Sequence, residues 1–361
     1  NSGLGMTPRH KRPVAGKESS MATLREAIER QEFERLSPFA ARAAESRGRA
    51  MPEEEHDYRT AFQRDRDRIL HSKAFRRLKR KTQVFLAPEG DHYRTRLTHT
   101  LEAAQIARTA ARALALNEDL TEAIAFGHDL GHTPFGHAGE AALNEVYPPG
   151  FRHAEQSLRV VEKLEPGRHG PGLNLTFEVR DGILNHSKGR HLLQGTRGSH
   201  AVTREGELFS VCDAIAYVNH DIDDAIRAGI ITLEDLPKTA INVLGTTTSA
   251  RIDAMVTALI NGSRDGTIGM TAEILDATNE LRAFMYAQVY PCMAITHEID
   301  KGKKLLRELY AYLLENPTED SAAGDPGEPL DRRTVDFLAG MTDQYALHLY
   351  QDIFFPQGWR A

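Results

Sequence analysis

His128-Asp129-Leu130-Gly131-His132-Thr133-Pro134-Phe135-Gly136-His137-Ala138-Gly139-Glu140 sets three histidines among two carboxylates and punctuates them with Gly131, Pro134 and Gly136. That composition suits metal ligation and proton transfer better than packing. Neighbouring side chains on a helix diverge by about 100°, so His128 and Asp129 can converge on one ion only where a helix ends. The residues before them, Glu118 to Phe126, follow Asn117 and predict a helix, with Gly127 and Gly131 marking its end. A neutral imidazole and a hard carboxylate oxygen together suit a borderline or hard divalent ion.

Two ligands do not make a site, and further candidates lie on two other predicted helices. His99 sits in RTRLTHTLEA, where Leu101, Ala104, Ala107, Ala111 and Leu114 recur at helical spacing. Asp213 sits where Leu208, Val211, Ile215, Val218, Ile222 and Ala225 do the same. On that second helix Asp213, Tyr217 and Asp221 fall at i, i+4 and i+8, a stripe of two carboxylates and a phenol. A solvated stripe would more often carry Lys or Glu than Tyr.

The order His99, His128-Asp129, Asp213 in a helical chain resembles the HD-domain metal-dependent phosphohydrolases. The blocks RTRLTHTLE, HDLGHTPFGHAGE, FRHAEQSLRVV, EVRDGILNHS and DAIAYVNHDIDDA are similar to its deoxyguanosine triphosphate triphosphohydrolase-like branch, from about Tyr58 to Tyr345. The resemblance implies an all-α fold, an HD-domain helical core with peripheral helices and long loops. It implies that His99, His128, Asp129 and Asp213 hold a divalent metal ion (Mg, Mn or another transition metal). By the same resemblance His132, His137, Glu140 and His153 serve phosphate binding or catalysis, Tyr217 and Asp221 face a deoxyribose, and Gln83 in KTQVF reads the sugar or base edge. The implied activity is hydrolysis of a dNTP substrate to deoxynucleoside and inorganic triphosphate. One departure stands out: some relatives carry adjacent His-Glu where this chain has His153-Ala154-Glu155, which weakens Glu155 as a catalytic candidate.

The residues support parts of this chemistry independently. A bound divalent ion lowers the pKa of a coordinated water and neutralises phosphate charge, and phosphoester hydrolysis is the natural use of both effects. His137 and Glu140, at i and i+3 on the start of the next helix, can pair so that the carboxylate orients a general acid or base; a first-turn glutamate favoured by the helix dipole is the plain alternative. Positive charge is dense from Arg59 to Lys81 and again at Arg94 and Arg96. Most such runs are solvated faces or ion pairs. Arg96, three residues before His99, is the strongest phosphate-gripping candidate because a guanidinium meets phosphate bidentately.

The rest of the chain bounds these readings. With 361 residues, 40% hydrophobic and 27% charged, it can bury a large core. Two cysteines, Cys212 and Cys292, cannot form a disulfide framework, which points to a reducing cytoplasm. No apolar run approaches a membrane span, and no secretory n-region and h-region open the chain. The start, NSGLGMTPRHKRP, lacks an apolar pattern; residues before Met6 read as a cloning remnant. We divide the chain into an N-terminal extension and peripheral helix (1–57), a catalytic core (58–230) and a C-terminal helical region (231–361) with a disordered insertion at 316–329. Two loops, Glu165 to Leu173 and Lys188 to His200, are rich in Gly and have the character of segments that move near a site. A homo-oligomer follows from relatives alone. The alternatives are another HD-domain phosphohydrolase (a nucleotidase or phosphodiesterase), a regulatory protein binding dNTP without turnover, and a single-stranded nucleic-acid-binding regulator using the basic run. The preferred base and the identity of the ion are not legible.

Overall fold

The computed structural model describes residues 22–83, 94–187 and 201–356, without the side chains of 293–295. Among these are fifteen α-helices and one two-stranded hairpin, so the all-α expectation holds. In chain order the first helices are α1 (Leu24–Arg35), α2 (Ala61–Leu70), α3 (Lys73–Arg77), α4 (Arg96–Ala113), α5 (Glu118–Gly127), α6 (His137–Val146) and α7 (His153–Arg159). A π-helical turn, Val160–Leu164, prolongs α7. The hairpin β1 (Pro166–Gly167) and β2 (Gly170–Pro171) occupies the predicted Gly/Pro loop. Next come α8 (Phe177–Leu184), α9 (Arg204–Arg227), α10 (Lys238–Leu244), α11 (Thr248–Gly262), α12 (Ala272–Phe284), α13 (Met293–Glu315), α14 (Leu330–Gly340) and α15 (Asp343–Phe354). The predicted loop 188–200 lies outside the described residues, as does 1–21.

Local chemistry explains where the central helices begin. Thr95 caps α4 by accepting from the Thr98 amide, and Asn117 caps α5 by accepting from the Leu120 amide. Along α4, Ala103, Ala104, Ala107, Ala110 and Ala111 are buried, and their small side chains let α5 and α9 approach closely. This brings the His99, His128-Asp129 and Asp213 positions of three different helices to one place.

The apolar interior falls into two clusters. One joins α2, α4, α5, α8 and α9 to residues of α10–α12 such as Leu244, Met255, Leu259 and Leu281. The other packs Ala138, Ala142 and Leu143 of α6 against Leu305, Leu306, Leu309, Val335 and Leu338. The expected boundary at residue 230 therefore divides the chain but not the first core.

Residues 316–329 also differ from expectation. Low apolar content suggested disorder, yet they form turns fastened at both ends. Ser321 is buried and accepts from the Thr318 amide, while Glu328 pairs with Arg159 and Lys163. Part of the basic run is taken up by internal pairs: Arg59 pairs with Asp67, Arg64 and Arg68 with Glu53, and Arg66 with Asp119, while Arg94 pairs with Asp223; Lys73, Arg76, Lys79 and Arg80 are exposed. No described helix is long and apolar enough to cross a membrane.

Candidate active site and metal centre

Helix α5 ends at Gly127, and His128 is its C-cap residue, so the backbone turns where the His-Asp pair was expected to need it. His128 Nδ1 donates to the Ala125 carbonyl at 2.7 Å, so in the neutral ring Nε2 is the nitrogen with the lone pair. That nitrogen is buried and has no hydrogen-bond partner among the described residues; it lies 3.3 Å from Asp129 Oδ1 and 3.6 Å from Asp213 Oδ1. His99 Nε2, from α4, is 3.0 Å from the same Asp213 oxygen. The four predicted ligands thus converge, although no single one of their helices contributes more than two.

Charge in this cluster follows from burial and proximity. Burial alone would lower the pKa of His128, but the Asp129 and Asp213 carboxylates hold it up to about 9. Burial opposes ionisation of Asp129, yet His128, His132 and Arg96 keep it well below the usual carboxylate range. A proton on His128 Nε2, or a divalent cation in its place, answers the carboxylate oxygens that face it in this closed space.

Arg96, expected to grip phosphate, donates from Nη1 to Asp129 Oδ2 at 2.6 Å and from Nη2 to the Gln83 carbonyl at 3.2 Å. It lines the cavity, but its firmest contact is with a ligand: one Asp129 oxygen is held and the other is left to the cluster. Gln83 also lines the cavity, and its buried Oε1 has no partner among the described residues.

The loop from His132 to Gly136 carries the site onward to α6. Phe135 has φ of 61° and Gly136 of 57°, two left-handed residues in succession. The backbone at Gly136 calls for glycine, and a Cβ there would also stand a tight 3.1 Å from Arg96 Nη2. The unfavourable Phe135 backbone is held by its amide donating to Asp343 Oδ1 at 3.0 Å.

Beyond the loop, Glu140 accepts from His137 Nδ1 at 3.1 Å and from His153 Nδ1 at 2.9 Å. Burial would raise Glu140, but these two histidines hold it well below the usual range. His132 stacks on His153 with centroids 4.0 Å apart, and burial with the nearby Arg96 charge keeps His132 neutral. The cavity is lined by Gln83, Arg96, His99, Asp129, His132, His137, His153, Asp213 and Tyr217. Glu155, by contrast, is exposed and pairs with Arg152.

Residues 96–236 match the model of the HD domain, and 268–352 match that of the phosphohydrolase-associated domain. A protein of Caldanaerobacter subterraneus named "deoxyguanosinetriphosphate triphosphohydrolase-like protein" is 54% identical over 341 residues, covering 93% of this chain and 97% of its own. One of the same name from Desulfatibacillum aliphaticivorans is 50% identical, covering 92% and 99%. The chain belongs to the deoxyguanosinetriphosphate triphosphohydrolase-like family. It is an HD-domain phosphohydrolase, and so a hydrolase.

The family assignment sharpens one question of placement, because three groups of side chains among the described residues could hold an ion: His99, His128 and Asp129; His132, His137, Glu140 and His153; and Asp129, His153 and His186. In the second group Glu140 already takes hydrogen bonds from two imidazoles. In the third, His153 Nε2 and His186 Nε2 face each other at 3.2 Å, whereas in the first His128 Nε2 faces carboxylate oxygens of both Asp129 and Asp213, so the first group fits a divalent ion better.

Several site residues of this family member had escaped the sequence reading. His186, after α8, donates from Nδ1 to the Ile183 carbonyl and faces His153 across 3.2 Å. Burial, reinforced by His128 and His153, lowers His186 to about 3. It lay in a quoted block, EVRDGILNHS, but nothing local marked it. Tyr286, Tyr290, Arg282 and Met285 line the cavity from α12 and the π-helical turn that follows it, Met285–Val289. Asp221 does not line the cavity: it is buried and accepts from the Tyr290 hydroxyl. Burial, with Asp224 adding to it against the Tyr290 hydrogen bond, raises Asp221 well above its ordinary value.

Proposed function

We propose that this chain hydrolyses deoxynucleoside triphosphates to deoxynucleoside and inorganic triphosphate, with a divalent ion held by His99, His128, Asp129 and Asp213. One observation carries the reading: His137 and His153 share Glu140 on the wall of the cavity that the Asp129 and Asp213 carboxylates enter. A bound divalent ion supplies an acidified water and offsets phosphate charge. The protein supplies the rest. Arg96 fixes Asp129 and adds positive charge beside any phosphate in the cavity. Glu140 orients His137 and His153: His137 is left with Nε2 for phosphate contact or proton transfer to the leaving 5′ oxygen, while His153 Nε2 faces His186 on the cavity wall.

Sugar selection belongs to the other end of the cavity. Tyr217 lies edge-on to His99 and His137, with centroids 6.3 and 6.1 Å away, so its ring borders the space next to the reacting groups. A ring packed there leaves no room for a 2′-hydroxyl. Asp221 reaches a 3′-hydroxyl in this reading through rearrangement of its Tyr290 contact, and Gln83 offers an unpaired carbonyl oxygen to sugar or base. The names of the relatives favour triphosphohydrolysis over the nucleotidase alternative. Chromatography of dNTP incubations before chelation, after it and after adding back Mn2+ tests the reading. Metal-dependent release of deoxynucleoside is expected, and undiminished turnover by the chelated protein would contradict it.

A further inference from the structure

Behind His99, on the side away from Asp213, α9 places a second histidine that no sequence expectation used. His220 is 2% exposed, and its Nδ1 lies 3.0 Å from His99 Nδ1 with the two rings at 88°. Its Nε2 lies 3.1 Å from Glu102 Oε2. Glu102 stands one turn after His99 on α4 and also accepts from Arg94 Nε at 3.0 Å.

We propose that Glu102 and His220 form a relay that fixes the tautomer of His99, making His220 a positioning residue for the metal centre. The proton assignments follow from the donor and acceptor inventory. A carboxylate has only lone pairs, so His220 Nε2 carries the proton that faces Glu102. A neutral His220 then has a bare Nδ1. Two bare nitrogens cannot sit 3.0 Å apart in a closed interior, so His99 Nδ1 carries the hydrogen between them. Neutral His99 is thereby left with its lone pair on Nε2, 3.0 Å from Asp213 Oδ1, and the metal ion of the proposed function would reconcile these two acceptors by binding both. The opposite tautomer would turn a bare His220 Nε2 toward Glu102 and an N–H toward the ion site, where it could not ligate. Outer partners of this kind set ligand orientation and typically change metal affinity 10–100-fold.

The inference rests on His99 being a ligand. Its test is Mn2+ affinity by titration calorimetry on the full chain, together with 15N-histidine spectra of the wild type loaded with diamagnetic Zn2+. His220→Phe keeps a ring but removes both nitrogens, and affinity is expected to fall about 10–100-fold. Glu102→Ala, at a half-exposed position that the fold tolerates, should weaken Mn2+ binding in the same direction by a smaller factor. The wild-type spectra need no variant to fold and should show His99 protonated at Nδ1. Wild-type affinity in Glu102→Ala and a folded His220→Phe, or a His99 proton on Nε2, would overturn the relay alone. A wild type that binds no Mn2+ would remove the ligand reading beneath it.

Discussion

Asp129 shows how one residue can answer to several demands. One of its oxygens is held by Arg96, and the other faces His128 and His132, each at 3.3 Å. Asp129→Ala should therefore empty the metal centre and abolish turnover, since neighbouring Leu130 and Gly131 offer no substitute oxygen. Metal analysis by mass spectrometry checks this, and a fully active variant with bound metal would remove Asp129 from the ligand set. His137 should behave differently. It is held only by Glu140, away from the cluster, so His137→Ala is expected to retain the ion and lose about two to four orders of magnitude in kcat. Loss of the ion with the rate would make His137 a ligand. In the proposed function Tyr217 governs discrimination rather than rate. A ribonucleotide's 2′-hydroxyl buried unpaired against its ring costs roughly 1–3 kcal/mol, so Tyr217→Ala should narrow the preference for dGTP over GTP by about 5- to 150-fold. Competitive rates measure it, and an unchanged ratio would make Tyr217 part of the packing. His128, Asp129, His137 and Glu140 were legible because they crowd one short stretch with residues unsuited to packing. His186, His220 and Tyr290 were not, because a single histidine or tyrosine within a helix or just past its end looks the same in sequence whether it faces solvent, core or site.

Helices α1, α5 and α9 meet over a pair of buried carboxylates. Glu205, in the first turn of α9, accepts from the Ala41 and Asn117 amides at 3.0 and 2.9 Å, while Glu32 of α1 accepts from the Asn117 side chain. Burial, with Glu32 nearby and the amides opposing it, pushes Glu205 up from 4.5 to about 7. This acid is raised on folding, so the folded state keeps a proton that the unfolded chain loses between pH 4.5 and about 7. Stability should fall as pH rises through that window, by up to about 3 kcal/mol from this group. Glu205→Gln keeps the acceptor oxygen and removes the charge. It should raise the urea midpoint at pH 8, change it little at pH 5, and so flatten the profile; an equal shift at both pH values would show that Glu205 does not titrate in that range. Helix ends were readable from capping residues such as Asn117 and from Gly127, because those signals act within one turn. The buried Glu205 was invisible, since a glutamate in a first turn is ordinary and its burial depends on α1, more than 160 residues away in the chain. The turns at 316–329 were missed for the same reason: Arg159 and Lys163, which fasten Glu328, lie far upstream.

At the scale of the molecule, the C-terminal helices complete the site as well as cover it. Asp343, at the start of α15, accepts from the Thr82 and Phe135 amides, and Lys81 donates to the carbonyls of His132 and Ala339. The strained loop between Asp129 and His137 is thus held from both directions in the chain, by Lys81 before it and by Asp343, 208 positions after Phe135, and the phosphohydrolase-associated region also packs its apolar residues on α6. The resulting cavity combines carboxylates, histidines on a shared glutamate and a tyrosine-lined end, and the function we propose for it is cleavage of the bond between a nucleoside and its whole triphosphate. Incubating the metal-loaded protein with dGTP in 18O-water and weighing the products tests this most directly. The expected result is unlabelled deoxyguanosine and inorganic triphosphate carrying one 18O, from attack of water on the α-phosphorus. Labelled pyrophosphate or phosphate, with deoxyguanosine mono- or diphosphate as the partner product, would contradict it.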